Sequence, residues 1–226
     1  MKFLVIITAR GGSKGIPKKN IKLLNGKPLI QYSIDVAKEI ANLEDICFTS
    51  DSDEIIDVAK KLGLKVEFKR PEKLATDTAN SQDVMLHALE TYEKLNDQIY
   101  DAIILLQPTS PFRTLQQIKN CVALYTNDID MVVSVKAASG NPYYNLFEEE
   151  NGYLEPSKKG SFTRRQDCPE VWEFNGAIYV INCKSIRNNK IKEFSKIKKY
   201  VMSEETSIDI DTQLDWNIAE FYLQNY

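Results

Sequence analysis

KFLVIITARGGSKGIPKKN, residues 2–20, runs an apolar strand into a loop of three glycines and four cations, Arg10, Lys14, Lys18 and Lys19, with no acid. Five consecutive apolar side chains, Phe3 to Ile7, read as a strand buried on both faces, the habit of parallel sheets. Working outward, further strand candidates are Ile46–Ser50, Lys65–Phe68, Asp101–Leu106, Met131–Val135 and Ala177–Ile181. Between them apolar residues recur at helical spacing: Leu29, Ile30, Ile34, Ala37; then Ile55, Ile56, Ala59, Leu62; then Met85, Ala88, Leu89, Tyr92. Alternating strands and helices predict an α/β fold, a mostly parallel sheet between helices, with ligands at the carboxyl ends of the strands.

The chain has 226 residues, 43% hydrophobic and 27% charged, the size and composition of one globular domain spanning residues 1–226. Its formal net charge of -3 disfavours nucleic acid as a partner, so recognition of phosphate has to be local. No run approaches the roughly 20 apolar residues that cross a bilayer, and no signal peptide is visible, so no membrane partner and a cytoplasmic location are expected. Cys47, Cys121, Cys168 and Cys183 lack metal-ligand spacing, and the single histidine, His87, sits in a helical apolar pattern.

The rhythm breaks in GNPYYNLFEEENGYLEPSKKGSFTRRQDCPEVWEF, residues 140–174. Residues 137–173 read as an inserted arm of β-ribbon and loop, a lid or a dimer contact.

Three segments carry candidate chemistry. In the opening loop Gly11, Gly12 and Gly15 permit close backbone approach to an anion and the cations supply charge, although a solvated turn has the same composition. It lacks the Gly-Lys-Ser/Thr of a P-loop, and Asp51 comes too late for a dinucleotide fingerprint, which disfavours an NAD-linked dehydrogenase. At Leu105–Arg113 an apolar strand ends in Gln107, followed by two prolines, Pro108 and Pro111, that fix the backbone, either a simple turn or an amide presented at the sheet edge. In SIDIDT, residues 207–212, the isoleucines alternate with Asp209 and Asp211, which places both carboxylates on one face of an extended segment. That outlines a site for Mg²⁺, or else a strand-end acid and a helix-start acid.

ARGGSKGIPKKN (residues 9–20), RPEKLATDTANS (70–81), LLQPTSPFR (105–113), FTRRQD (162–167), FNGAIYV (174–180) and SIDIDT resemble, in the same order, the motifs of the cytidylyltransferases that activate nine-carbon 2-keto sugar acids. These are the CMP-sialic acid synthetases and their legionaminic and pseudaminic acid relatives. The resemblance implies a Rossmann-like nucleotide-diphospho-sugar transferase fold, an arm used for dimerisation, a homodimer, CTP and a nine-carbon sugar acid as substrates, and Mg²⁺ as cofactor. It places Arg10, Gly12, Ser13, Lys14, Lys19 and Asn20 on the phosphates and ribose. Arg70, Ala79 and Ser81 fall on the cytosine side, with Asp77 a cap for the helix that starts near Ser81. Gln107, Tyr143, Arg165, Asn175 and Tyr179 fall on the sugar acid, and Asp209 and Asp211 on the metal; Arg10, Lys19 and Asp211 are the catalytic choices. Glu173 and Phe174 stand where some sialic acid synthetases carry an arginine, and NPYYN (residues 141–145) lacks a lysine some of them have; both departures lie on the sugar side and lean towards the legionaminate branch. A Kdo-activating enzyme, which takes an eight-carbon acid, and a non-catalytic nucleotide-binding module are the alternatives.

Overall fold

The computed structural model describes residues 1–13, 15–76 and 78–225. In chain order the strands are β1 (Phe3–Thr8), β2 (Leu23–Leu24), β3 (Lys27–Pro28), β4 (Ile46–Thr49), β5 (Ala102–Leu105), β6 (Met131–Ala137), β7 (Phe147–Glu150), β8 (Tyr153–Pro156), β9 (Trp172–Asn182) and β10 (Ile197–Val201). The helices are α1 (Leu29–Ile40), α2 (Asp53–Lys61), α3 (Ser81–Asn96), α4 (Leu115–Leu124), α5 (Cys183–Asn188) and α6 (Gln213–Asn225).

Six strands form one sheet in the order β10-β6-β9-β5-β1-β4. β1 runs parallel to β4 and β5, and β10 parallel to β6, while β9 is antiparallel to both its neighbours. The strand alternation decides which helices cover which face. Val5, Ile7, Ile104 and Val180 pack with Ile34 and Ala37 of α1 and Ile118 of α4. Leu4, Ile6, Leu105 and Val133 pack on the other face with Met85 and Leu89 of α3 and Ile186 of α5. Burial on both faces is why these strands are continuous apolar runs.

Local chemistry sets the helix starts. Ser52 caps α2, accepting from the Ile55 N–H, with Asp53 and Glu54 in the first turn and Lys60 and Lys61 in the last. Thr114 and Gln117 form a reciprocal capping box on α4. Asn80 caps α3 by accepting from the Gln82 N–H; Asp77, expected in that role, lies outside the described residues.

Two strand expectations are corrected. Lys65–Phe68 is not a strand: Val66 and Phe68 are half-buried and Lys65 and Glu67 exposed, and just beyond it the Arg70 N–H donates to the Ser50 carbonyl at 2.8 Å. Conversely β10, absent from the expectations, is an edge strand with Lys198 and Lys199 exposed. Exposed lysines blunt an edge against further pairing and also hide the strand from a hydrophobicity reading.

The arm leaves the sheet after β6 and returns at β9, closed at its base by the Ala138 N–H donating to the Val171 carbonyl at 2.9 Å. Its tip is the β7–β8 hairpin, every residue of which is exposed. Among the described residues no helix is long and apolar enough to cross a membrane.

Candidate active site

The loops that follow β1 and β5, the segment before α3 and the segment before α6 meet at the carboxyl edge of the sheet. They enclose a cleft of about 600 Å³. Arg10, Ser13, Lys19 and Asn20 line one wall; Arg70, Ala79 and Ser81 another; Gln107, Asp209 and Asp211 close it. The opening loop and the two-aspartate segment, at opposite ends of the chain, therefore share one cavity.

Lys19 makes the junction. It sits in a short helical turn, Lys19–Ile21, and is 8% exposed, yet its Nζ donates to the Ile210 carbonyl at 2.6 Å and to Asp211 Oδ1 at 2.9 Å. A buried ammonium needs such partners, because desolvation without them is costly. The Asn20 amide donates to the Arg10 carbonyl at 2.9 Å, and the Gly11 N–H donates to Asp51 Oδ1 at 3.0 Å, so the loop is held at both shoulders. Gly15 has no room for a side chain: a Cβ would collide with the Asp211 carbonyl oxygen. Gly12 is exposed and does not line the cleft, and Lys14 lies outside the described residues.

The aspartate pair is freed for the cleft by a third carboxylate. Asp215 Oδ2 accepts from the N–H of Asp211 at 3.1 Å and of Thr212 at 2.7 Å, capping the start of α6. The alternative for Asp211, a helix-start acid, is thereby taken by Asp215. The Ile210 N–H donates to the Thr109 carbonyl at 2.8 Å and Ile210 is fully buried, which fixes the alternation that turns Asp209 and Asp211 the same way. Burial pushes the Asp209 carboxyl above the usual carboxylate range, and the charge of Asp211 adds to this; Thr109, Lys19 and Ser110 pull it back. Among the described residues there is no cluster of three or more metal-ligating side chains. Two oxygen donors facing an open cleft nevertheless fit Mg²⁺, which keeps waters and takes one or two carboxylates alongside substrate phosphates.

Two buried arginines stiffen the rim. Arg70 lines the cleft, but its guanidinium is spent on the fold: Nη2 donates to the carbonyls of Thr49 at 2.6 Å and Ala9 at 3.1 Å, tying the ends of β4 and β1 together. Arg113, which the sequence reading did not single out, donates to Ser33 Oγ at 2.7 Å and to the Gln107 carbonyl, and so holds the turn that presents Gln107. Burial pulls its guanidinium well below the usual arginine value, against the opposing pull of Asp209.

The sugar-side choices scatter. Gln107 lines the cleft. Tyr179 lies on β9 opposite Leu105 and Val133, outside the lining of the cleft; burial and then the charge of Asp209 push its hydroxyl up. Asn175 is 3% exposed and turned inward: Nδ2 donates to Ser207 Oγ at 2.8 Å and Oδ1 accepts from Ser134 at 2.6 Å. Tyr143 and Arg165 are on the arm, outside the cleft; Tyr143 stacks edge-on against Phe162, and Arg165 donates to the Ser139 carbonyl at 3.1 Å. Thr8, Thr109 and Val84 also line the cleft and were not foreseen, being ordinary residues whose only signal is position at a strand or helix end.

Residues 4–223 match the sequence profile of the cytidylyltransferase family. The chain belongs to that family. This cytidylyltransferase is 36% identical over 223 residues to the CMP-N,N'-diacetyllegionaminic acid synthase of Campylobacter jejuni, covering 98% of this chain and 95% of that one. It is 35% identical over 222 residues to the N-acylneuraminate cytidylyltransferase of Streptococcus agalactiae, covering 96% of this chain and 52% of that longer protein. A solved structure of CMP:2-keto-3-deoxy-manno-octonic acid synthetase with CTP superposes with a TM-score of 0.72 at 17% identity, covering 99% of each chain, which establishes the shared fold.

Proposed function

We propose that the protein activates a nine-carbon 2-keto sugar acid with CTP, giving the CMP-sugar and pyrophosphate. The observation that carries the reading is the single cleft in which a glycine-rich cationic loop faces Asp209 and Asp211, with Lys19 between them. The anomeric hydroxyl attacks the α-phosphorus, its bond to phosphorus forms, and the bond to the bridging oxygen of pyrophosphate breaks.

In such transfers the protein's work is positioning and charge neutralisation. Arg10, Ser13, Lys19 and Asn20 take the triphosphate and ribose. The backbone of the segment ending at Ala79 and Ser81 faces the base, while Arg70 acts by holding the strand ends on which that wall rests. Asp209 and Asp211 would hold Mg²⁺, which when bound supplies charge neutralisation at the phosphate and a more acidic attacking hydroxyl. Gln107 contacts the sugar acid at the cleft's closed end.

The remaining sugar-side choices point to a homodimer. Arg165 and Tyr143 lie on an arm outside their own chain's cleft, so they meet the substrate when the arm of a second subunit reaches over. A guanidinium there suits the obligatory carboxylate of a 2-keto acid through paired hydrogen bonds. Relatives bearing nine-carbon acid names at 35–36% identity favour that class over the eight-carbon acid named for the 17%-identical structural neighbour.

Pyrophosphate release from CTP with N-acylneuraminic, legionaminic, pseudaminic and Kdo acids tests the reading. Turnover with at least one nine-carbon acid and little with Kdo is expected; turnover with Kdo alone, or with none, overturns it.

A further inference from the structure

β9 does not pair evenly with β6. Phe174 lies opposite Val135 and Tyr179 opposite Val133, so residues 175–178 of β9 bulge out opposite the single residue Ser134. Bulges of this kind redirect a strand and re-aim what it presents.

This one is pinned from inside. Ser134 Oγ donates to Asn175 Oδ1 at 2.6 Å and accepts from the Ile178 N–H at 2.8 Å; Asn175 Oδ1 also accepts from the Ala177 N–H at 3.2 Å. The remaining amide group of Asn175 donates to Ser207 Oγ at 2.8 Å, two residues before Asp209. Every one of these polar groups is buried, where a hydrogen bond is expensive to leave unmade.

At the tip is Gly176, buried, with φ +74°. A Cβ there would lie 2.9 Å from Gln107 Oε1, 3.0 Å from Ser110 Oγ and 3.3 Å from Asp209 Oδ2. Ser110 bridges the same group, its Oγ 3.2 Å from the Asn175 carbonyl and 3.4 Å from Asp209 Oδ1. Three side-chain ends therefore converge on a backbone that carries no side chain. All three are side-chain atoms, so an added methyl presses on them, besides the backbone strain that φ +74° imposes on any residue other than glycine.

We infer that the Asn175–Gly176 bulge is a positioning device: it sets the Gln107 amide against the Asp209 carboxylate and thereby fixes the spot that receives the reacting end of the sugar acid. Gly176 and Asn175 act through Gln107 and Asp209 and touch no substrate themselves. The identity of what the spot receives rests on the sugar-acid reading above.

Gly176→Ala tests this against Gly152→Ala, whose φ of +84° carries comparable backbone strain but whose Cβ would meet nothing within 4 Å. Gly176→Ala is expected to raise KM for the sugar acid about tenfold or more while KM for CTP stays within about twofold, since misplacing a positioning group by an ångström is enough for such a loss. The side-chain amide resonance of Gln107 should also move in Gly176→Ala and stay fixed in Gly152→Ala, a readout that needs no turnover. If Gly176→Ala does not fold, Ser207→Ala loosens the same bulge from behind and should move the Gln107 resonance and the sugar-acid KM in the same direction. An unmoved Gln107 resonance, or equal effects from both glycine variants, overturns the inference. Failure of the wild type to turn over any sugar acid overturns the functional reading instead, and the resonance then decides the bulge alone.

Discussion

Lys19 and Asp211, 192 positions apart, meet at 2.9 Å, and the lysine ammonium reaches this contact from a site that is 8% exposed. The pair joins the opening loop to the aspartate segment. It also means that a cation already occupies one face of the carboxylate proposed to hold Mg²⁺, so Lys19 and the metal would share Asp211 as a neighbour.

Lys19→Met removes that charge while keeping the length of the stem. Loss of one preorganised cation at a developing phosphate charge is expected to lower kcat by about 100-fold or more. Steady-state pyrophosphate release measures it. Lys19→Arg should rescue poorly, because a planar fork cannot reproduce an ammonium held at 2.6 Å from the Ile210 carbonyl. Near-normal turnover of Lys19→Met would remove the lysine from the chemistry.

Asp209→Asn and Asp211→Asn separate the metal from the nucleotide. Each is expected to cut turnover by about 100-fold or more, as loss of an electrostatic stabiliser does, while CTP binding by calorimetry is largely kept. The number of Mn²⁺ ions bound to the CTP complex, read by electron paramagnetic resonance, should fall with either change. Normal turnover in both variants would dismiss the aspartate pair as ligands.

The architecture could be read from residues 2–20 because β1 is buried on both faces and the loop that follows holds four cations and no acid. Asp209 and Asp211 were legible for a related reason: alternation with isoleucine forces them to one side, and the buried Ile210 enforces it. The bulge behind Gln107 was not legible. Asn175 is a polar residue in a strand, and nothing in FNGAIYV says that its amide turns inward to Ser134 and Ser207. Gly176 matters for the atom it lacks, which no composition reports. β9 runs antiparallel because the chain returns from the arm at the same edge where β6 left the sheet, Ala137 opposite Trp172, a consequence of tertiary path and not of local pattern.

Arg113→Met is a stability test of the turn that presents Gln107. The change strips the Gln107 carbonyl and Ser33 of a buried donor. Leaving such groups unpaired costs about 2–3 kcal/mol, which for a chain of this length lowers the melting temperature by about 4–12 °C. Differential scanning calorimetry measures it. An unchanged melting temperature would show that the buried guanidinium contributes no net stability.

Asp130 supplies a pH-dependent clamp. Its carboxylate accepts from Ser185 Oγ at 2.7 Å and from the N–H groups of Ser195 at 3.1 Å and Lys196 at 2.9 Å, drawing together the starts of β6, α5 and β10. These bonds, that of Ser185 first, hold its carboxyl below the ordinary value of 3.8. A depressed acid stabilises the fold above its unfolded pKa and loses that contribution as pH falls through the folded one. Asp130→Asn should therefore be less stable than the wild type at pH 7, with a narrower gap at a pH below the ordinary value of 3.8. Urea denaturation at both pH values checks this, and a gap that persists at low pH would assign the effect to geometry instead of charge.

The β7–β8 hairpin cannot be stable on its own merits. Two strands exposed on every residue are marginal in water, and Glu148 faces Glu155 directly across the ladder, which is repulsive. One face nevertheless carries Phe147 and Leu154, 48% and 71% exposed, on the same side because each pairs at alternate positions of the register. Covering that face with a second subunit would explain both the exposed apolar residues and the persistence of the ribbon. Phe147→Glu with Leu154→Glu is then expected to convert a dimer to a monomer in sedimentation at micromolar concentration. Turnover should fall with it, because the arm carrying Arg165 no longer reaches the neighbouring cleft. A wild type that sediments as a monomer with full activity would leave the hairpin's apolar face, Phe147 and Leu154, without a role in assembly.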